Sequence, residues 1–281
     1  MQDDYVGDVG DFGKYALLRH LQKVSGKTLG IIWYLVNRTH TDGKHQANDG
    51  KHIGYLGLKS LNGRLLQIKP NKDSKSLRER DEDLYGKLKS IVTSGKRAVQ
   101  SINNQGLLGE KAAFFAECLS TPSSVSPHDR EALRKDWLER AHTATKTKNI
   151  IFLDPDNGLS SETRVGRKVD DAKYVLWTEL DKFWGDGKRV IVIYHHPNRK
   201  YKGISHDRQI VDLVEEIEKR YKNAKVLPLR YRRGTSRAYI VIVPIGEVNQ
   251  WRKWLQEFTE PWPVKKSKSE AIKAFEFVNV R

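Results

Sequence analysis

Asn149-Ile-Ile-Phe-Leu-Asp-Pro-Asp-Asn-Gly158 decides how this chain is read. Ile150 to Leu153 form an apolar run with no alternation, the pattern of a strand buried on both faces of a parallel sheet. Pro155 has no N–H for a ladder, so the strand ends there. Asp154, Asp156 and Asn157 are thereby set at the carboxyl end of a central strand. Ligands bind at that end in open α/β sheets. Asp, Asn, Pro and Gly are also the ordinary residues of a turn, so an Asx-type turn is the alternative reading, as good as the first for Asp156 and Asn157 and the lesser one for Asp154.

Two more apolar runs share this design. Leu29 to Val36 leads into Asn37-Arg-Thr-His-Thr-Asp-Gly43, and Val190 to Tyr194 leads into His195-His-Pro-Asn-Arg199. Between and after them lie helical patterns. Ser126-Pro127 opens a helix carrying Leu133, Trp137, Leu138 and Ala141. Ser205 caps one with Ile210, Leu213, Val214 and Ile217 on one face. Strands alternating with helices predict a doubly wound, mostly parallel sheet of about six or seven strands in a single α/β domain over 1–281. Lys225–Leu229 and Tyr239–Val243, with no helix between them, predict an antiparallel edge, and Ala274–Val280 a last strand. Leu77 to Val92 reads as one amphipathic helix within a basic, helical insertion after the first strand, about 44–110.

The first segment contains Gly7, Gly10 and Gly13, spaced by three, followed by the stripe Tyr15, Leu17, Leu18, Leu21 and Val24. Asp11 stands where an N-cap would. Gly7 to Lys14 therefore reads as a loop feeding a helix N-terminus, a place for an anion or polar ligand. The tetrapeptide Asp-Gly-Lys-His occurs at 42–45 and 49–52, and reads as a local duplication in a polar loop.

The 281 residues carry 51 Lys and Arg against 35 Asp and Glu, a formal charge of +16. Such a surplus points to a polyanionic partner, foremost nucleic acid, DNA or RNA. Lys69, Lys72, Arg199, Lys200 and Arg230 to Arg237 are the candidate phosphate contacts, with Tyr201 and Tyr231 interleaved. No apolar run approaches the roughly 20 residues that span a bilayer, so no membrane partner is expected. Cys118 is the single cysteine. It leaves no intrachain disulfide and no cysteine metal cluster, and a reducing cytoplasm is the expected location.

The order of motifs resembles class I S-adenosylmethionine-dependent methyltransferases. It is most similar to the bacterial family that N6-methylates an adenine of large-subunit ribosomal RNA. Gly7-Asp-Val-Gly-Asp-Phe-Gly-Lys-Tyr15 follows that family's opening G-N-x-A-D-V-x-K-H. Thr39-His40 and Gly43 follow its D-T-H-A-G-x-G, and Asp154-Pro-Asp-Asn157 stands where it has D-P-P-Y. The glycine turn is reduced and Asn157 replaces a stacking aromatic, so the resemblance implies a divergent methyltransferase, or its fold put to another use. The resemblance implies S-adenosylmethionine as cofactor, Lys14, Tyr15 and His40 in the donor pocket, and Asp154 against the target amino group. Asn157, His195 and His196 complete the candidate catalytic set at the same rim, and no resident metal is assigned on this reading. Two other functions fit the residues. One is a metal-dependent nuclease or phosphodiesterase, with Asp154, Asp156, Glu179, His195 and His196 around a divalent ion. The other is a nucleic-acid binder without chemistry.

Overall fold

The computed structural model describes residues 2–37, 51–61, 64–70, 72–160, 163–197, 203–262, 264–266 and 271–280. Seven strands form the central sheet: β1 (Leu29–Trp33), β2 (Ala113–Phe115), β3 (Ile150–Asp154), β4 (Val190–His195), β5 (Ala224–Arg233), β6 (Thr235–Pro244) and β7 (Phe275–Phe277). Their spatial order is β7-β5-β6-β4-β3-β1-β2. β2, β1, β3 and β4 pair in parallel. β6 is antiparallel to both β4 and β5, and β7 is antiparallel to β5. Five strands thus run one way, and β6 and β7 the other. The expected antiparallel closure is present as a long hairpin joined at Gly234, whose φ of +70° suits glycine.

The unalternating runs are explained by two cores. Ile150 and Phe152 of β3 belong to one, Ile151 and Leu153 to the other. β4 divides likewise, with Val190, Val192 and Tyr194 on one face and Ile191 and Ile193 on the opposite face. The first core is closed by α1 (Val9–Ser25), α3 (Glu82–Thr93) and α8 (Val248–Thr259). The second is closed by α5 (Pro127–Thr145), α6 (Trp177–Trp184) and α7 (His206–Arg220). Helices therefore cover both faces, which is why neither face needs polar residues.

Several local expectations are corrected. Helix α1 begins at Val9, and its N-cap is Asp8, whose side chain accepts from the Gly10 N–H. Asp11 and Lys14 are helical residues, so Gly7 to Lys14 is not a loop. β1 ends at Trp33, after which Leu35 makes an isolated bridge to Cys118. Leu77 to Val92 is divided between α2 (Lys72–Arg80) and α3, because Asp81 accepts from the Leu84 N–H and starts a new helix. Leu133 is exposed and lies off the buried face of α5. The rest of the 44–110 region, where described, holds a two-stranded ribbon (58–61 with 64–67) and α4 (Val99–Asn104). Leu77, Leu84, Leu88 and Ile91 pack into the same core as α1.

Candidate functional site

From β1 the chain crosses to β2 on one side and later returns to β3 on the other. The carboxyl ends of β1 and β3 therefore flank a topological switch point, where open α/β sheets bind ligands. Asp154 is the last residue of β3, in register with Trp33 of β1. α1 brings Lys14 to it. The Lys14 Nζ donates to Asp154 Oδ2 at 2.8 Å and to Asp11 Oδ1 at 2.9 Å. Asp11 and Lys14 are three apart on a helix, so they share a face. All three are buried: Lys14 is 1% exposed, Asp154 1% and Asp11 3%.

The ammonium lies 4.7 Å from the centre of the Tyr194 ring, 5.6 Å from Tyr15 and 5.7 Å from Trp33. Ring faces and carboxylates both favour the cation. Burial works against the Lys14 charge, but Asp11 and Asp154 outweigh it and hold its pKa above the ordinary value. Burial is also the main reason that Asp11 is raised; Lys14 opposes the shift, and Asp154 adds to it. Two carboxylates against one ammonium leave the cluster with one formal negative charge. Beside it, Asp8 accepts from the Gly10 and His52 N–H groups and meets Arg237 Nη2 at 3.4 Å.

β4 is the parallel neighbour of β3, and its last residue, His195, reaches the same rim. Its Nδ1 is buried without a hydrogen-bond partner and faces Gly158, where a Cβ would stand 2.2 Å away. Burial pushes the His195 imidazole down to about 4. His196 is pushed to about 3, by burial first and by the Arg237 and His195 charges next. Its ring packs edge-on against Tyr194, with centroids 5.1 Å apart. Asn157 is fixed through its backbone, whose N–H donates to Lys173 O at 2.9 Å and whose carbonyl accepts from the His196 N–H at 3.0 Å. Asp156 accepts from Gln2 Nε2 at 2.9 Å.

Lys14, Asp154, Asn157, His195 and His196 thus lie at one rim. Tyr15 is wholly buried, its ring edge-on to Trp33, and forms the floor beneath Lys14. Thr39 and His40 lie outside the described residues, as do Arg199, Lys200 and Tyr201. Sequence reasoning missed Asp11 as a partner of Lys14, although their three-residue spacing carried that signal. It also missed Trp33 and Tyr194, which strand alternation places on the face towards α1.

Two groupings expected from the sequence do not form. Glu179 is held away from a metal role by Arg134, at 2.6 Å and 3.0 Å, and also accepts from Tyr34 Oη at 3.1 Å. Among the described residues no three His, Cys, Asp or Glu side chains gather as metal ligands. The Arg230 to Arg237 segment is not an open phosphate-binding loop. It belongs to β5 and β6, with Arg233 and Arg237 buried, Arg230 paired to Asp207, and Arg232 paired to Glu276. Tyr231 is 0% exposed in the core. Lys69 is exposed, and Lys72 is the first residue of α2.

No protein-family model matches the chain. No curated protein matches it either. Among solved structures it is similar to protein LPL1258 from Legionella pneumophila, assigned to the family model DUF519. The two are 12% identical over 97% of each chain, with a TM-score of 0.44. No described helix is long and apolar enough to cross a membrane.

Proposed function

We propose that the protein is a divergent S-adenosylmethionine-dependent methyltransferase acting on an amino nitrogen of a nucleic-acid base, adenine N6 being the acceptor. The observation that carries this reading is the position of Asp154 at the switch point, beside the rim residues Asn157 and His195. The donor set suits the cofactor. The cluster of Asp11, Lys14 and Asp154 has surplus negative charge for a sulfonium cation. At the same rim, His195 Nδ1 is a buried polar atom without a hydrogen-bond partner, which suits a polar ligand. S-adenosylmethionine, when bound, supplies an electrophilic methyl group.

Asp154 has the role of accepting an amino N–H, which aims the nitrogen lone pair and later receives the departing proton. Lys14 positions that carboxylate through the 2.8 Å contact. His195 and His196, neutral at physiological pH, add no charge that would repel the donor. The +16 charge supplies attraction for the phosphate backbone.

The test uses donor carrying a radiolabelled methyl group, adenine-containing RNA and DNA, and nucleoside analysis of the product. Label in N6-methyladenine is expected with the native chain. Asp154→Asn, which removes both the proton acceptor and the surplus negative charge, is expected to lose transfer and to weaken donor retention in equilibrium dialysis. Absence of both donor binding and transfer in the native chain overturns the proposal.

A further inference from the structure

The ribbon of residues 58–61 and 64–67 stands out from the body. Leu58 is buried at its base, and every other residue of the two strands is exposed. The register pairs Lys59 with Leu66 and Leu61 with Arg64. Residues directly opposite on an antiparallel pair share a face. One face therefore presents Lys59, Leu61, Arg64 and Leu66, and Ile68 continues it, its N–H bonded to Gly57 O. Leu61 is 48% exposed, Leu66 41% and Ile68 38%. Three large aliphatic side chains on a protruding two-stranded element call for a partner, since isolated ribbons gain little from water-exposed leucines.

The charge says which partner. From residue 50 to residue 72 the sequence has five Lys and Arg and no Asp or Glu. A second copy of the ribbon would meet like charge. A polyanion with apolar surfaces to contact is complementary, and base stacks framed by phosphates are such a surface. Leucine and isoleucine wedges flanked by cations are a known means of opening a base step.

The ribbon is also tied to the candidate site. His52 donates its N–H to Asp8, Val9 donates its N–H to His52 O, and Tyr55 Oη donates to Gly7 O. These hydrogen bonds bind the segment leading into the ribbon to the first turn of α1, the helix that carries Asp11 and Lys14.

We infer that this ribbon is a nucleic-acid docking element: Lys59 and Arg64 hold phosphates while Leu61 and Leu66 press on an exposed base step. The inference rests on the proposed action on a nucleic-acid base, and deepens it by naming the surface that would hold the strand beside Asp154.

The experiment uses the full chain with Lys59→Gln/Arg64→Gln and Leu61→Ser/Leu66→Ser, thermal unfolding confirming that each folds. Affinity for a labelled RNA stem–loop and a DNA duplex is read by fluorescence anisotropy across a salt series. The charge pair is expected to lower the slope of log affinity against log salt by about 2, one for each phosphate no longer neutralised. The leucine pair is expected to weaken binding on the order of tenfold with the slope unchanged. Native affinity in both variants overturns the inference. So does binding of the native chain to phosphatidylserine vesicles in preference to either nucleic acid, or a dimer that the leucine pair dissolves. Methyl transfer is assayed in parallel. Ribbon-dependent binding without transfer removes the methyltransferase reading and leaves the ribbon standing. Transfer untouched by the ribbon variants does the reverse.

Discussion

Lys14→Met tests the buried cluster most directly. Methionine keeps an unbranched side chain one atom shorter and removes the charge. Each ion pair, at 2.8 and 2.9 Å, is about 6 kcal/mol of attraction at an effective dielectric of about 20. Most of this is offset by the cost of burying the lysine, and the variant recovers more by protonating one carboxyl. Breaking a buried pair by removing one partner leaves a net loss of about 3–5 kcal/mol. At about 2.1 cal/mol/K per residue, unfolding 281 residues has an entropy of about 0.6 kcal/mol/K, so Tm falls by about 5–8 °C at pH 7.5. The sign of the pH effect follows from Asp11. Its folded pKa is already raised, and without Lys14 it rises further. A carboxyl raised in the folded state stabilises below its unfolded pKa and loses that contribution as pH rises through the folded one. The gap between variant and native chain must therefore narrow from pH 7.5 to pH 5. Circular dichroism melts of both proteins at the two pH values measure it. A Tm within 1 °C of native at pH 7.5, or a gap that widens at pH 5, refutes the reasoning.

Other perturbations have equally definite outcomes. His195 and His196 are held neutral, at about 4 and about 3 against an ordinary 6.5, so their stabilisation is present above about 6.5 and lost as pH falls towards those values. Each contributes at most about 1.4 kcal/mol per pH unit, less for the part of the ring that solvent reaches. His195→Gln/His196→Gln should flatten the fall of Tm between pH 6.5 and 4.5, and an unchanged slope counts against it. Gly158→Ala sets a Cβ 2.2 Å from His195 Nδ1 at a φ of +115°, and should cost about 2–4 kcal/mol in urea unfolding; a cost below about 0.5 rejects the geometry. Arg134→Met strands the Glu179 carboxylate and should cost about 3–5 kcal/mol; a neutral outcome rejects the pair as a structural support.

The sheet was legible where one physical demand acted alone. Strands covered on both faces must be apolar throughout, so β3 and β4 stand out in the sequence, and Ser126-Pro127 and Ser205 mark helix starts by local hydrogen bonding. Legibility failed where tertiary partners decide. Asp8 and Asp11 are both competent N-caps; Asp8 takes the role by accepting from the Gly10 N–H, and Asp11, inside the helix, accepts from the Gly7 N–H and from Lys14. The stripe from Leu77 to Val92 satisfies one helix or two, and Asp81 settles it by capping Leu84. The arginines of 230–237 look like a polar connection. They lie within a hairpin because Arg237 gives its guanidinium to Arg233 O, Thr235 O and Asp8, partners that composition does not reveal.

The three N-terminal glycines join these observations. Read alone, their spacing suggests a loop that cradles an anion. Gly7 does turn the chain, at a φ of +85°. Gly10 and Gly13 instead sit inside α1, where a Cβ would come within 2.8 Å of the Arg237 guanidinium and 2.7 Å of the Tyr231 ring. They are the points at which the helix approaches the β5–β6 hairpin. One residue beyond each stands a member of the charged cluster, Asp11 and Lys14. The same close approach therefore brings the ammonium to the carboxyl end of β3. A buried ionic cluster is a poor way to stabilise a core, since apolar residues of like volume do as well or better. Its place at the switch point, with glycines holding it there, is what the proposed function asks for: a carboxylate held fixed against the acceptor amine.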